Sequence, residues 1–221
     1  MKRFLLVLCA GLLAVGCADT RNPAASPVPH TRRVVLVHGF LESGTNYSLL
    51  RKRLENDGIQ CLVPRLTPCD GRGGLERLAA GLKKDIDAAF GPDQPIAMVG
   101  FSMGGLVSRY YLQNLGGAAR CDQLLTVSSP HHGTDSANYY PSLGAEQMRP
   151  GSRFLADLEK TQGNLGKMRV VSYRTRHDEV IYPPESSIWD RAENVEYPVL
   201  LHLMMVTSNA VMSDIERRLV K

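Results

Sequence analysis

Ile96-Ala97-Met98-Val99-Gly100-Phe101-Ser102-Met103-Gly104-Gly105-Leu106-Val107 is the stretch on which the reading of this 221-residue chain turns. Its first four residues are an apolar run of strand type, and Gly105, Leu106 and Val107 open a helix expected over 103–115. Between them stands Gly100-Phe101-Ser102-Met103-Gly104, a G-x-S-x-G pentapeptide. Where such a pentapeptide joins a strand to a helix, the tight turn strains the serine backbone and lifts its Oγ into the open. Glycines are needed there because side chains would meet the neighbouring strand and helix. The start of the helix also turns its positive dipole end toward the hydroxyl. Ser102 is therefore the candidate nucleophile. The bland alternative is a glycine-rich turn with an incidental serine, and the rest of the chain weighs against it.

Working outward, short apolar runs alternate with longer amphipathic ones. Val34-Val35-Leu36-Val37 predicts a strand buried on both faces. A helix is expected at about 45–56, stopped by Gly58, then a strand from Ile59 to Val63 closed by Pro64. Leu75, Leu78, Leu82 and Ile86 mark an amphipathic helix over 75–89. Strands follow at 95–100, 123–128, 168–173 and near 195–200, with a last helix near 207–219. This order predicts an α/β domain with a mostly parallel sheet flanked by helices, whose reactive loops lie at the carboxyl ends of the strands. Residues 131–166 break the alternation, with one short helix expected at about 152–160. A loop this long suggests a small cap or lid, to which Tyr139, Tyr140, Leu143, Phe154 and Leu155 would bring apolar surface; ordinary core packing of those residues is the equal alternative.

Val37-His38-Gly39-Phe40 ends the first strand. Acyl transfer through a serine needs two backbone N–H donors for the oxyanion, one from the residue after the nucleophile and one from an early loop. Met103 and Phe40 fill those places, with Gly39 letting the backbone approach and His38 acting as scaffold. On these motifs, and on Ser129-Pro130-His131-His132-Gly133-Thr134-Asp135 and His202-Leu203, the chain resembles the bacterial lipases and esterases of the α/β-hydrolase fold from Val34 to about Arg218. The resemblance implies a triad in the chain order serine, acid, histidine. Of six histidines, His30 lies in the N-terminal segment, His38 precedes the nucleophile, His131 and His132 precede any plausible acid, and His177 adjoins the best acid. His202 remains as the base. The segment Asp178-Glu179-Val180-Ile181-Tyr182-Pro183 resembles the acid loop of the same enzymes, with Asp178 as the acid and Glu179 in reserve. The implied activity is carboxylic ester hydrolysis by a lipase or carboxylesterase, through an acyl-enzyme and without a cofactor. Lipases of this kind often hold a calcium ion through an Asp two residues after the base and a Gln four further on. Met204 and Ser208 stand there instead, so no metal is expected.

The first residues carry a separate message. Lys2 and Arg3 precede an apolar run from Phe4 to Val15, followed by Gly16 and Cys17, which reads as a secretory signal over 1–16. Leu13-Ala14-Val15-Gly16-Cys17 resembles the bacterial lipobox, departing from it at Ala14, and implies acylation of Cys17; a plain signal peptide cut elsewhere is the alternative. Residues 17–32, rich in Pro, Ala and Ser, read as a flexible tether before a catalytic domain at 33–221. Ala18 after the cysteine favours, by resemblance to sorting signals, the periplasmic side of the outer membrane or the cell surface. The expected contacts are thus a membrane, through the acyl anchor, and a lipid or small ester substrate. Loss of residues 1–16 leaves 24 basic against 22 acidic side chains, which gives no argument for nucleic acid. Export would permit a disulfide, and Cys61–Cys69 would close a short loop, but with Cys121 the three fix no pairing and have no metal-ligand spacing. An acyltransferase using the same acyl-enzyme, and a non-catalytic lipid-anchored interaction protein, are the competing readings.

Overall fold

The computed structural model describes residues 32–220. The signal segment, Cys17, His30 and all of the tether except Arg32 lie outside the described residues.

Six strands form one sheet: β1 (Arg33–Val37), β2 (Gln60–Leu62), β3 (Ile96–Phe101), β4 (Cys121–Val127), β5 (Arg169–Arg174) and β6 (Glu193–Glu196). Their order is β2-β1-β3-β4-β5-β6 and every pair is parallel. Because alternate residues of a strand point to opposite faces, two cores result. On one face Val34, Leu36, Ala97, Val99, Phe101, Leu125 and Tyr173 pack against α1 (Ser48–Asn56) and α7 (Asn209–Val220). On the other, Val35, Val37, Met98, Leu124 and Val170 meet α2 (Leu75–Phe90), α3 (Met103–Asn114) and α5 (Arg153–Thr161). A parallel sheet is stable when covered on both sides, as the continuous apolar runs of β1 and β3 require.

Two expectations need correction. The last strand is Glu193–Glu196, not 195–200, so Pro198 to Leu200 belong to the loop that leads to His202. Segment 131–166 holds more than one short helix: a 3-10 turn at Asp135–Tyr139, α4 (Leu143–Gln147) and α5. Phe154, Leu155 and Leu158 of α5 are core residues, whereas Tyr139 and Leu143 face solvent. The segment is fastened to the loop before α2: Ser142 Oγ donates to the Asp70 carbonyl, Gly144 N–H to the Gly71 carbonyl, and Leu75 N–H to Gln147 Oε1. Cys61, Cys69 and Cys121 are all free thiols, so the Cys61–Cys69 bridge is not formed.

Candidate active site

Ser102 joins β3 to α3 at φ 53° and ψ −125°, a conformation costly for any residue with a side chain. The surroundings over-determine it. Ser102 N–H donates to the Val127 carbonyl at 2.8 Å, and Ser102 O accepts from Gly105 N–H at 3.0 Å. A Cβ on Gly100 would lie 2.6 Å from Gly105 Cα, and one on Gly104 would run into the Val37 carbonyl oxygen. Helix and strand therefore close on each other only with glycine at these two places.

The loop after β1 lies against the same turn. A Cβ on Gly39 would come within 3.2 Å of both Ser102 Cβ and the Phe101 ring. Glu42 braces the loop by accepting Gly39 N–H at 2.8 Å and Asn46 Nδ2–H at 2.8 Å. Neither Phe40 N–H nor Met103 N–H donates a hydrogen bond to any described residue, so both remain available to a ligand oxygen. His38 is wholly buried beneath the loop. Its Nε2 accepts from Leu66 N–H at 3.0 Å, which leaves Nδ1–H to donate to the Gly39 carbonyl at 2.9 Å. Burial lowers its pKa, and the neutral ring serves as a spacer between two loops.

Asp178 follows the end of β5, and His202 lies in the turn before α6 (Met204–Thr207). Their side chains meet: His202 Nδ1 is 2.9 Å from each carboxylate oxygen of Asp178. A carboxylate only accepts, so Nδ1 carries the hydrogen and the lone pair of the neutral ring sits on Nε2. Burial pushes the Asp178 carboxyl upward. The His202 ring, Ile181 N–H and the nearby Ser128 hydroxyl outweigh it and hold the group below its ordinary range. Glu179 serves the same histidine differently, accepting the His202 backbone N–H at 2.8 Å. The His202 ring rests on Phe101, the residue before Ser102, with centroids 4.7 Å apart. No hydrogen bond joins Ser102 to His202 among the described residues.

Of the other histidines, His132 and His177 are exposed and His131 is buried. His131 belongs to a cluster with no signature in the sequence. Its ring accepts from Arg109 at 3.2 Å and pairs with Thr126 Oγ1 at 3.1 Å, while the Arg109 guanidinium lies 4.0 Å over the Trp189 ring. Burial lowers the Arg109 pKa to about 10 and drives that of His131 well down.

Around the mouth, exposed apolar side chains concentrate on the loops that carry these groups. Leu41 follows Phe40, Leu200, Leu201, Leu203 and Met204 flank His202, and Val180 and Tyr182 follow Asp178. Phe40 and Tyr140 meet edge to face at 4.9 Å, linking the early loop to the 131–166 segment.

A family model described as alpha/beta hydrolase fold matches residues 32–198. The chain is similar in structure to a Bacillus licheniformis lipase in its mature form, with TM-score 0.71, 15% identity, and 90% of this chain and 96% of that one covered. An Aspergillus fumigatus lipase gives TM-score 0.72 at 14% identity, covering 86% of this chain and 53% of that one. A polyneuridine aldehyde esterase mutant gives 0.58 at 17%, covering 85% and 97%. No curated protein sequence matches. With a six-stranded parallel sheet, a serine on the sharp turn after its third strand and a family match over most of its length, the chain belongs to the α/β-hydrolase fold family.

Proposed function

We propose that the protein hydrolyses carboxylic esters through a triad of Ser102, Asp178 and His202. The observation that carries this reading is the Asp178–His202 pair, which leaves the lone pair of the neutral ring on Nε2, with the ring on Phe101 and the next residue, Ser102, in a strained turn. In the reaction His202 Nε2 takes the Ser102 proton as Oγ attacks the ester carbon. The oxyanion is received by the free N–H groups of Phe40 and Met103, each donor worth about 3 kcal/mol in the transition state. The protonated His202, steadied by Asp178, then gives its proton to the departing alcohol, and water repeats the cycle on the acyl-enzyme. The exposed side chains of Leu200 and Leu201, just before His202, favour an acyl group of lipid character.

The full chain assayed on p-nitrophenyl esters of two to sixteen carbons, beside Ser102→Ala, tests the reading. The substitution is expected to lower kcat on the order of 10⁶-fold, to the assay floor, with folding intact. Neither turnover nor fluorophosphonate labelling at Ser102 in a folded sample would sink it in favour of an interaction protein. Labelling without hydrolysis, restored by an added alcohol acceptor, would redirect it to acyl transfer.

The proposal extends to export as a lipoprotein acylated at Cys17, supported by the basic start, the apolar run and the Gly16-Cys17 ending. A fatty-acid label incorporated by the wild type and lost in Cys17→Ser is the expected result; equal labelling would refute it.

A further inference from the structure

An open groove of about 810 Å³ lies between the loop after β1 and the loop before α2. Leu41, which follows Phe40, and Leu203, which follows His202, both line it, together with Arg65, Arg72 and Tyr140. That placement gives it a role in the reaction proposed above. The leaving alcohol must lie within reach of His202, which protonates it, while the carbonyl oxygen sits at Phe40. A groove bordered by the neighbours of both is placed to receive the alcohol half of the ester.

The groove's two carboxylates are already engaged. Both oxygens of Glu42 are turned to the loop they brace, and those of Asp70 are taken by Arg72 Nε and Nη2. Arg65 has no ion pair and no side-chain hydrogen bond among the described residues. Its charge reaches the buried His38 ring under the oxyanion loop, where it acts to lower that ring's pKa. The donors left over for a ligand include the Arg65 guanidinium, the remaining N–H groups of Arg72 and the Tyr140 hydroxyl.

We propose that this groove binds the leaving-alcohol half of the substrate, and that the alcohol carries an anionic, oxygen-rich group (a phosphate or a carboxylate) held by Arg65. The inference rests on the Ser102–His202 reading and deepens it. Guanidinium groups bind such oxygens by charge-assisted hydrogen bonds, in paired fashion where geometry allows.

The test uses the full chain and three butyryl esters with the same acyl group, of glycerol, glycerate and glycerol 3-phosphate. Wild type is expected to favour at least one anionic ester over the glycerol ester by about tenfold in kcat/KM, the size of one charged hydrogen bond. Arg65→Gln should erase that preference through the KM of the anionic ester and Arg65→Glu should invert it, each variant being read against its own rate on the glycerol ester. Which anionic ester is favoured separates phosphate from carboxylate. Three equal rates, or a preference that survives Arg65→Gln, would overturn the inference while leaving the serine hydrolase standing. Absence of all turnover and of fluorophosphonate labelling at Ser102 would instead overturn the reading beneath it.

Discussion

At the scale of single residues, His202 is held from two sides by neighbouring carboxylates with different tasks. Asp178 meets the ring of His202 and Glu179 its backbone N–H. The first sets the tautomer, and the second fixes where the turn sits relative to Phe101. Glu179 is expected to be a positioning residue. Glu179→Ala should lower kcat about tenfold with KM little changed, because a hydrogen bond to a charged acceptor is lost at the base of the turn. Glu179→Gln keeps an acceptor oxygen and should recover most of that loss, which steady-state kinetics on one soluble ester would read. Equal losses in both variants would mean that charge, not placement, is what Glu179 supplies. The Asp178–His202 contact is legible in the sequence, since chain order and the motif after β5 leave few candidates. The Glu179 amide contact is not, because nothing in an adjacent acidic pair tells which carboxylate turns to a ring and which to a backbone. The Arg109–Trp189–His131 cluster escapes for a related reason: its members are scattered between positions 109 and 189 and obey no period.

At the scale of elements, the success of a reading follows how far each element is buried. β1 and β3 lie inside the sheet, carry apolar residues on both faces and announce themselves as unbroken runs. β6 is an edge strand, Glu193-Asn194-Val195-Glu196, paired only with β5 and closed by ion pairs from Arg174 and Arg176 to Glu196. Having water on one side, it bears no apolar signature, and the apolar Val199-Leu200 that follows draws the expectation too far along the chain. α4 has five residues, too few for a helical period to show, whereas α5 announces itself through Phe154, Leu155 and Leu158. The junction of β3 with α3 allows a prediction at this scale. Gly104→Ala forces a methyl group into the Val37 carbonyl, so β1 and α3 must separate. A loss of about 3 kcal/mol is expected in chemical denaturation, with activity falling as the Phe40 loop moves away from Ser102. An unchanged unfolding midpoint would show that the junction has slack that the packing does not suggest.

For the whole molecule, burial of ionisable groups couples stability to pH. His38 and His131 have pKa values lowered by burial, so the unfolded chain binds protons that the folded chain refuses once the pH falls below the unfolded value of about 6.5. Their contribution is whole above that value and is lost on the way down. Asp178 is also depressed in the folded state, and its contribution persists to about pH 4 before being lost as the pH falls through its folded value. Thermal unfolding from pH 8 to pH 3 should therefore show two successive declines, with His131→Phe reducing the first and Asp178→Asn the second. A flat midpoint between pH 7 and pH 5 would contradict the neutral burial of the two histidines. The parallel sheet has one more consequence. Every strand points its carboxyl end at the mouth, so β1, entering at Arg33, begins at the opposite pole and reaches His38 only after crossing the sheet. The chain ahead of Arg33 therefore joins the domain at the pole away from the loops that carry Ser102, Asp178 and His202.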